Sequence, residues 1–251
     1  MMTLKTADEL SRMNRANALV HEVLHLVAQH ATGGVSTLEL DQLAEDHIRL
    51  AGAMPAFKGY RGYPATLCAS VNEVIVHGIP SSHQRLRDGD ILSIDCGVIV
   101  EGFFGDAAMT IPIGTVSADA TRLMRVTKEC LEEAVAEVVP GARLSNIGHA
   151  VQRHAEAAGF SVVREFVGHG VGRALHEEPQ VPNYGAPGRG LELRSGLVVA
   201  IEPMVNQGRP GVRVDPDGWT ARTEDGKLSA HFEYSVAVTD DGPWVLGVDR
   251  T

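Results

Sequence analysis

The stretch Leu86-Arg87-Asp88-Gly89-Asp90-Ile91-Leu92-Ser93-Ile94-Asp95 reads as a turn that feeds an apolar strand ending in a carboxylate. The Asp-Gly step marks the turn, and the run from Ile91 to Ile94 has the apolar continuity of a strand covered on both faces. The same arrangement returns 107 residues later, where Leu193-Arg194-Ser195-Gly196 precedes Leu197-Val198-Val199-Ala200-Ile201-Glu202. At that one ungapped offset Gly34 also falls on Gly141, His47 on His154, and Ala51-Gly52 on Ala158-Gly159. A repeat that aligns helix and strand segments together predicts two copies of one supersecondary unit. A single domain over residues 1–251 is expected, with pseudo-two-fold halves at 8–112 and 115–240 and with Asp95 and Glu202 facing each other across its centre.

Working outward, Leu19, Val20, Val23, Leu24 and Val27 recur at helical spacing within Ala7 to His30, and Ser36 or Thr37 caps a second helix that ends before Gly52. Strand character follows at Leu67–Val71, Ile91–Ile94 and Val98–Val100. In the second cycle Ser117 caps a helix that runs to about Val139, Pro140-Gly141 breaks it, and Leu144 to Ala158 reads as another helix. Strands are then expected at Val162–Val167 and Leu197–Ile201. Two helices followed by strands, twice over, is an α+β pattern.

The formal net charge of −10 carries no clustered basic stripe, which argues against a nucleic-acid surface. Cys68, Cys96 and Cys130 form no C-x-x-C pair, so neither a structural zinc nor a disulfide framework is indicated and the chain reads as reduced. Met1 to Arg15 has no apolar signal segment, and no apolar run approaches the length of a bilayer span, so a cytoplasmic location is expected. The absence of an apolar heptad makes a monomer the expected state. Several catalytic motifs fall away: Gly168-His169-Gly170-Val171-Gly172 is one residue short of a dinucleotide loop, His176-Glu177-Glu178-Pro179 lacks the second His of H-E-x-x-H, and no G-x-S-x-G is present.

The acidic residues that stand out are those on strands that need burial. Asp95 and Glu202 each follow an apolar run, Asp106 sits in Gly105-Asp106-Ala107-Ala108, and Glu233 alternates with apolar neighbours between Phe232 and Tyr234. A buried carboxylate needs a partner, and with Lys and Arg scarce nearby a pair of divalent cations is the better counter-charge. His169 is set among glycines that let backbone approach a bound group, His176 follows seven residues on, and His77 precedes Gly78-Ile79-Pro80. His21, His25, His30, His47, His83, His149 and His154 are read as structural. Four carboxylates with one imidazole fit two bridged metals, about 3.5–4 Å apart, that activate a water for hydrolysis of a carbonyl compound. Oxygen-rich ligation suits Mn(II), Fe(II) or Co(II).

The ordered set His77, Asp95, Asp106, His169, His176, Glu202, Glu233 resembles the site of the methionine aminopeptidases and their pita-bread relatives. Tyr60-Arg61-Gly62-Tyr63-Pro64, Val71-Asn72-Glu73 through His77-Gly78-Ile79-Pro80, Gly168 to Arg173, His176 to Pro179 and Ile201-Glu202-Pro203-Met204 look like the type I enzymes, and the likeness covers nearly the whole chain. It implies a pita-bread fold, with a curved, mostly antiparallel sheet covered by helices. It also implies two divalent ions per chain, Co, Mn or Fe(II) with Zn as an alternative, bound by Asp95, Asp106, His169, Glu202 and Glu233, with Asp106 and Glu233 bridging. By the same resemblance Glu202 takes the proton of the attacking water. His77 and His176 contact the substrate amide and carbonyl, and His176 stabilises the oxyanion. Tyr60, Tyr63, Cys68 and Trp219 are expected to line the Met side-chain pocket, beside Leu175, which stands where the family often has an aromatic. The implied substrate is the initiator Met of nascent chains with a small second residue, met at the ribosome after deformylation. A Xaa-Pro peptidase of the same fold and a metal-free peptide-binding protein of that fold are the alternatives.

Overall fold

In the computed structural model, which describes residues 3–248, helix α1 (Ala7–His30) begins where the Thr6 hydroxyl accepts the Glu9 amide and the Glu9 carboxylate accepts the Thr6 amide. Helix α2 (Thr37–Leu50) starts with the same reciprocal box between Ser36 and Glu39, so Ser36 and not Thr37 is the cap. In the second half Ser117 caps α3 (Ala118–Ala136), and α4 spans Ser145–Ala157. Helix α3 stops at Ala136, short of Val139, because the Glu137 and Val138 amides turn back to the Ala134 and Val135 carbonyls, three residues behind.

Nine strands make the main sheet: β1 (Met54–Pro55), β2 (Leu67–Val71), β3 (Ile91–Val100), β4 (Phe103–Pro112), β5 (Gly168–Gly170), β6 (Glu177–Val181), β7 (Val198–Ile201), β8 (Glu233–Thr239) and β9 (Gly242–Val245). Their order is β1-β3-β4-β8-β7-β5-β6, with β2 also on β3 and β9 on β8, and every pairing is antiparallel. Three of the expected strands change. Ile91–Ile94 and Val98–Val100 are one unbroken strand, because β4 pairs with it residue by residue straight through Asp95-Cys96-Gly97. Val162–Val167 shrinks to Ser161–Val162, paired on Met204–Asn206; the Val163 amide still donates to the Met204 carbonyl at 3.0 Å, and beyond it the pairing ends while Val163 is buried with Ile75 and Met204. Apolar burial there comes from tertiary packing, which a sequence pattern cannot distinguish from strand pairing.

Residues related by the sequence offset make matching hydrogen bonds. The Gly34 amide donates to the Leu86 carbonyl at 2.8 Å and the Gly141 amide to the Leu193 carbonyl at 2.9 Å. Leu86 donates back to Val35 and Leu193 to Ala142. The glycine pairs at this offset, Gly34 with Gly141, Gly52 with Gly159 and Gly89 with Gly196, all take positive φ, between 73° and 95°. Only glycine enters that region without strain, which is why these positions survive in both copies. Each half has its own core. Helices α1 and α2 pack on β2, β3 and β4 through residues such as Val20, Val27, Ile48, Leu92 and Ile94. Helices α3 and α4 pack on β7 and β8 through Leu123, Leu131, Ile147, Val199 and Val236. None of the described helices is long and apolar enough to cross a membrane.

Candidate active site

Strand register alone decides which side chains share the concave face. Asp95 pairs with Ala108 across β3 and β4, and Glu233 pairs with the same Ala108 from β8. Paired residues in an antiparallel ladder point to one side, and alternation then adds Asp106 from β4. On the far side His169 of β5 pairs with Ala200 of β7, so His169 and, two residues beyond Ala200, Glu202 emerge on that same face. Alanine at 108 keeps the space between the carboxylates open. Their neighbours Cys96, Ala107, Ile201 and Val236 point the other way, into the helix-covered cores.

Two buried polar groups hold the backbone of this cluster in place. Asn17, fully buried on α1, donates to the Met13 carbonyl at 2.9 Å and accepts the Asp106 amide at 3.1 Å. Ser235 donates to the Asp106 carbonyl at 2.9 Å, so both peptide groups of Asp106 are tied down. Helix α1 comes this close because Gly105 has no side chain, since a Cβ there would lie 2.6 Å from the Ala16 carbonyl carbon.

The resulting electrostatics are one-sided. Asp106 and Glu233 are each 3% exposed, and no Lys or Arg among the described residues pairs with Asp95, Asp106, Glu202 or Glu233. Asp95 Oδ1, Asp106 Oδ1 and Glu233 Oε1 have no hydrogen-bond partner. Burial pushes the Asp95 carboxyl up to about 7. It also raises Asp106, Glu202 and Glu233, to which their acidic neighbours add repulsion. Ligand atoms of Asp106, His169 and Glu233 all lie within 4.8 Å of one another. Oxygen donors without partners, gathered around one imidazole and lacking any cationic side chain, fit divalent metal.

The imidazole is turned for that role. His169 Nδ1 faces the Gly170 carbonyl at 2.9 Å, and since a carbonyl only accepts, Nδ1 carries the proton and Nε2 presents its lone pair. That Nε2 lies 3.7 Å from Asp106 Oδ2 and 3.5 Å from Glu202 Oε1. Burial holds the His169 imidazole down to about 4, so it stays neutral and free to ligate.

His176 stands 4.2 Å from His169, ring centre to ring centre, with its Nδ1 2.8 Å from the Tyr60 hydroxyl. Its loop is anchored by Glu177, whose carboxylate accepts the Arg173 amide at 2.8 Å and the buried Lys5 ammonium at 2.6 Å. His77 enters from the other side with φ of +59°, a strained conformation for a residue with a Cβ. Contacts around it over-determine that backbone: Gly78 donates to Ser70 Oγ at 3.1 Å and accepts from the Ala69 amide at 2.8 Å and the Tyr63 hydroxyl at 3.2 Å.

Asp95, Asp106, His169, Glu202, Glu233, His77 and His176 line one cavity of about 160 Å³, together with Tyr60, Tyr63, Cys68 and Trp219. Its floor is acidic and its other wall is apolar, where Tyr63 meets Trp219 edge-on at 5.0 Å. Phe57 and Leu175, 8% and 2% exposed, complete that wall. Residue type and spacing do not single out Phe57, Arg61 at the rim, Asn17, the Lys5–Glu177 pair or His231. His231 is 2% exposed, has no partner for Nε2, and lies 4.0 Å from Glu202 Oε2. Its position two residues before Glu233 was the only available signal. Among the histidines read as structural, His21, His30 and His149 face backbone carbonyls and His154 pairs with Glu129, all away from the cavity.

The sequence profile of metallopeptidase family M24 matches residues 11–240. Methionine aminopeptidase 1 of Bacillus subtilis is 51% identical over 245 residues, covering 96% of this chain and 97% of that protein. Methionine aminopeptidase of Clostridium acetobutylicum is 48% identical over 246 residues, 98% of each chain. The crystal structure of methionine aminopeptidase from Rickettsia prowazekii superposes with a TM-score of 0.97 at 38% identity, over 99% of this chain and 100% of that one.

Proposed function

The chain belongs to metallopeptidase family M24, and from that premise we propose that it is a methionine aminopeptidase that releases the N-terminal Met of polypeptides whose second residue is small. The observation that carries this reading is the set of five donors on one sheet face, three of them (Asp106, His169 and Glu233) buried, without a cationic side chain, lining a pocket with an apolar and aromatic wall. Asp95, Asp106, His169, Glu202 and Glu233 would hold two divalent ions, with Asp106 and Glu233 shared between them. Bound there, Mn(II), Fe(II), Co(II) or Zn(II) supplies Lewis acidity that lowers the pKa of a water and polarises the scissile carbonyl.

The chain's own groups do the rest. Glu202, at the mouth of the cluster with its side chain 14% exposed, accepts the proton of the attacking water and passes it to the leaving amine. The depressed basicity of His176, caused by burial and then by the Arg61 charge, leaves a neutral imidazole whose Nε2–H can donate to a developing oxyanion if Tyr60 donates to Nδ1. His77 faces the same cavity and contacts the substrate amide. Tyr60, Tyr63, Cys68 and Trp219, with Phe57 and Leu175, receive the Met side chain, for which an apolar aromatic pocket is a good match. The proposed setting is the cytoplasm, where a monomer meets nascent chains at the ribosome.

The test is release of free Met from Met-Ala-Ser by metal-stripped protein before and after adding Mn(II), Fe(II) or Co(II), with a Xaa-Pro dipeptide in parallel. Metal-dependent release of Met without cleavage of the dipeptide is the expected result. Cleavage of the dipeptide alone would transfer the chain to the proline-specific relatives, and cleavage of neither would leave a binding protein.

A further inference from the structure

Glu202 lies between two imidazoles. Its Oε1 lies 3.5 Å from His169 Nε2, and its other oxygen, Oε2, lies 4.0 Å from His231 Nε2. We propose that His231 is a positioning residue: its Nε2–H holds the outer oxygen of Glu202, so that the carboxylate presents the other edge to metal and water.

The backbone makes this a built arrangement. His231 ends a short strand, Ser229–His231, whose register sets it opposite Met204, two residues past Glu202. Thr110 Oγ1 accepts the His231 amide at 2.9 Å and donates to the His231 carbonyl at 2.7 Å, which clamps the peptide on both sides. Asn183 Nδ2 donates to the Glu202 carbonyl at 2.9 Å, which fixes the other partner. A buried ring nitrogen without a partner carries an uncompensated desolvation cost, and His231 Nε2 is such an atom.

The tautomer follows from what the nitrogen faces. A bare Nε2 would set a lone pair against a carboxylate oxygen, whereas Nε2–H meets it as a donor. Closing the 4.0 Å separation to a hydrogen bond takes a carboxylate rotation of about 1 Å. His169 and His231 then carry opposite tautomers around one carboxylate, the first offering a lone pair and the second a proton donor.

This inference rests on Glu202 acting as the base, and the experiment separates the two. In protein with ¹⁵N-labelled histidine, long-range ¹H–¹⁵N correlation identifies the tautomer of His231 without reference to activity, and protonated Nε2 is expected. A bare Nε2 overturns the proposal. In the Mn(II)-loaded enzyme, H231L is expected to lower kcat for Met-Ala-Ser by roughly 10–100-fold. KM and Mn(II) stoichiometry should stay near wild type, and H231Q, whose side-chain amide can donate in the same direction, should recover most of the rate. Equal impairment of H231L and H231Q, in step with lower Tm, would reduce His231 to packing, and an unchanged kcat in H231L would remove it from the site. Should H231L fail to fold, H231M takes its place. Should the wild type fail to cleave Met-Ala-Ser with any metal, the functional reading falls while the tautomer still decides whether His231 is the donor to Glu202.

Discussion

Metal affinity as a function of pH is the most direct measure of the acidic cluster. In the metal-free protein burial pushes Asp95 from 3.8 up to about 7, and Asp106, Glu202 and Glu233 are raised as well by burial and mutual repulsion. A carboxylate whose pKa rises on folding contributes stability that is fully present below its unfolded pKa and lost as pH climbs through the folded value. For Asp95 that window runs from 3.8 to about 7. His77, His169 and His231 are depressed from 6.5 to about 4, 4 and 3, so they act in the opposite sense, contributing stability above 6.5 that is lost as pH falls toward their folded values. Stability alone would mix the two. Cation binding separates them, because it must displace protons from the carboxylates. With one proton held at a pKa of about 7, lowering the pH from about 7.5 to 5.5 should weaken Mn(II) binding by roughly 25-fold, about 2 kcal/mol, and the other raised carboxylates steepen the slope. Titration calorimetry at both pH values, in two buffers of different ionisation enthalpy, reads the affinity and the protons released together. A pH-independent affinity with no proton release at about pH 5.5 would refute the electrostatic account of the cluster.

Asp106→Asn and Glu233→Gln should each lose metal occupancy and at least roughly 100-fold in turnover, since an amide oxygen is a poor bridge between cations. The metal-free variants should melt higher than metal-free wild type at about pH 8, where each removes a like charge from the cluster, a combination that metal analysis and calorimetry can check. Lys5→Ala removes the cation from Glu177, which keeps the Arg173 and Ala174 amides as donors, and should lower unfolding free energy by about 1–3 kcal/mol, while kcat falls because the His176 loop loses part of its anchor; urea denaturation beside steady-state kinetics would show whether the two move together. Gly78→Ala would put a Cβ 2.5 Å from the Ala69 carbonyl oxygen, so a stability loss of about 1–3 kcal/mol and a fall in kcat through the displaced His77 are expected, and a Tm and rate equal to wild type would remove that constraint.

Residue type and spacing already contained much of this molecule. The 107-residue offset between the two turn-and-strand units, the glycines at their turns and the carboxylates at their strand ends are local signals, set by backbone sterics and burial, and they can be read without coordinates. The same holds for His169 among its glycines. Tertiary structure decided what meets what. That Ala108 is flanked by both Asp95 and Glu233 depends on the register of three strands, one of which, β8, is far from the other two in sequence. Spacing could not place Asn17 under the Asp106 amide, 89 residues away, or Lys5 against Glu177, 172 residues away. His231 resembled any polar residue on an apolar strand until the sheet set it behind Glu202. A sequence carries period and chemistry, whereas register and burial are settled only when distant strands pair, since a shift of one residue would send the whole acidic set into the helix-covered cores.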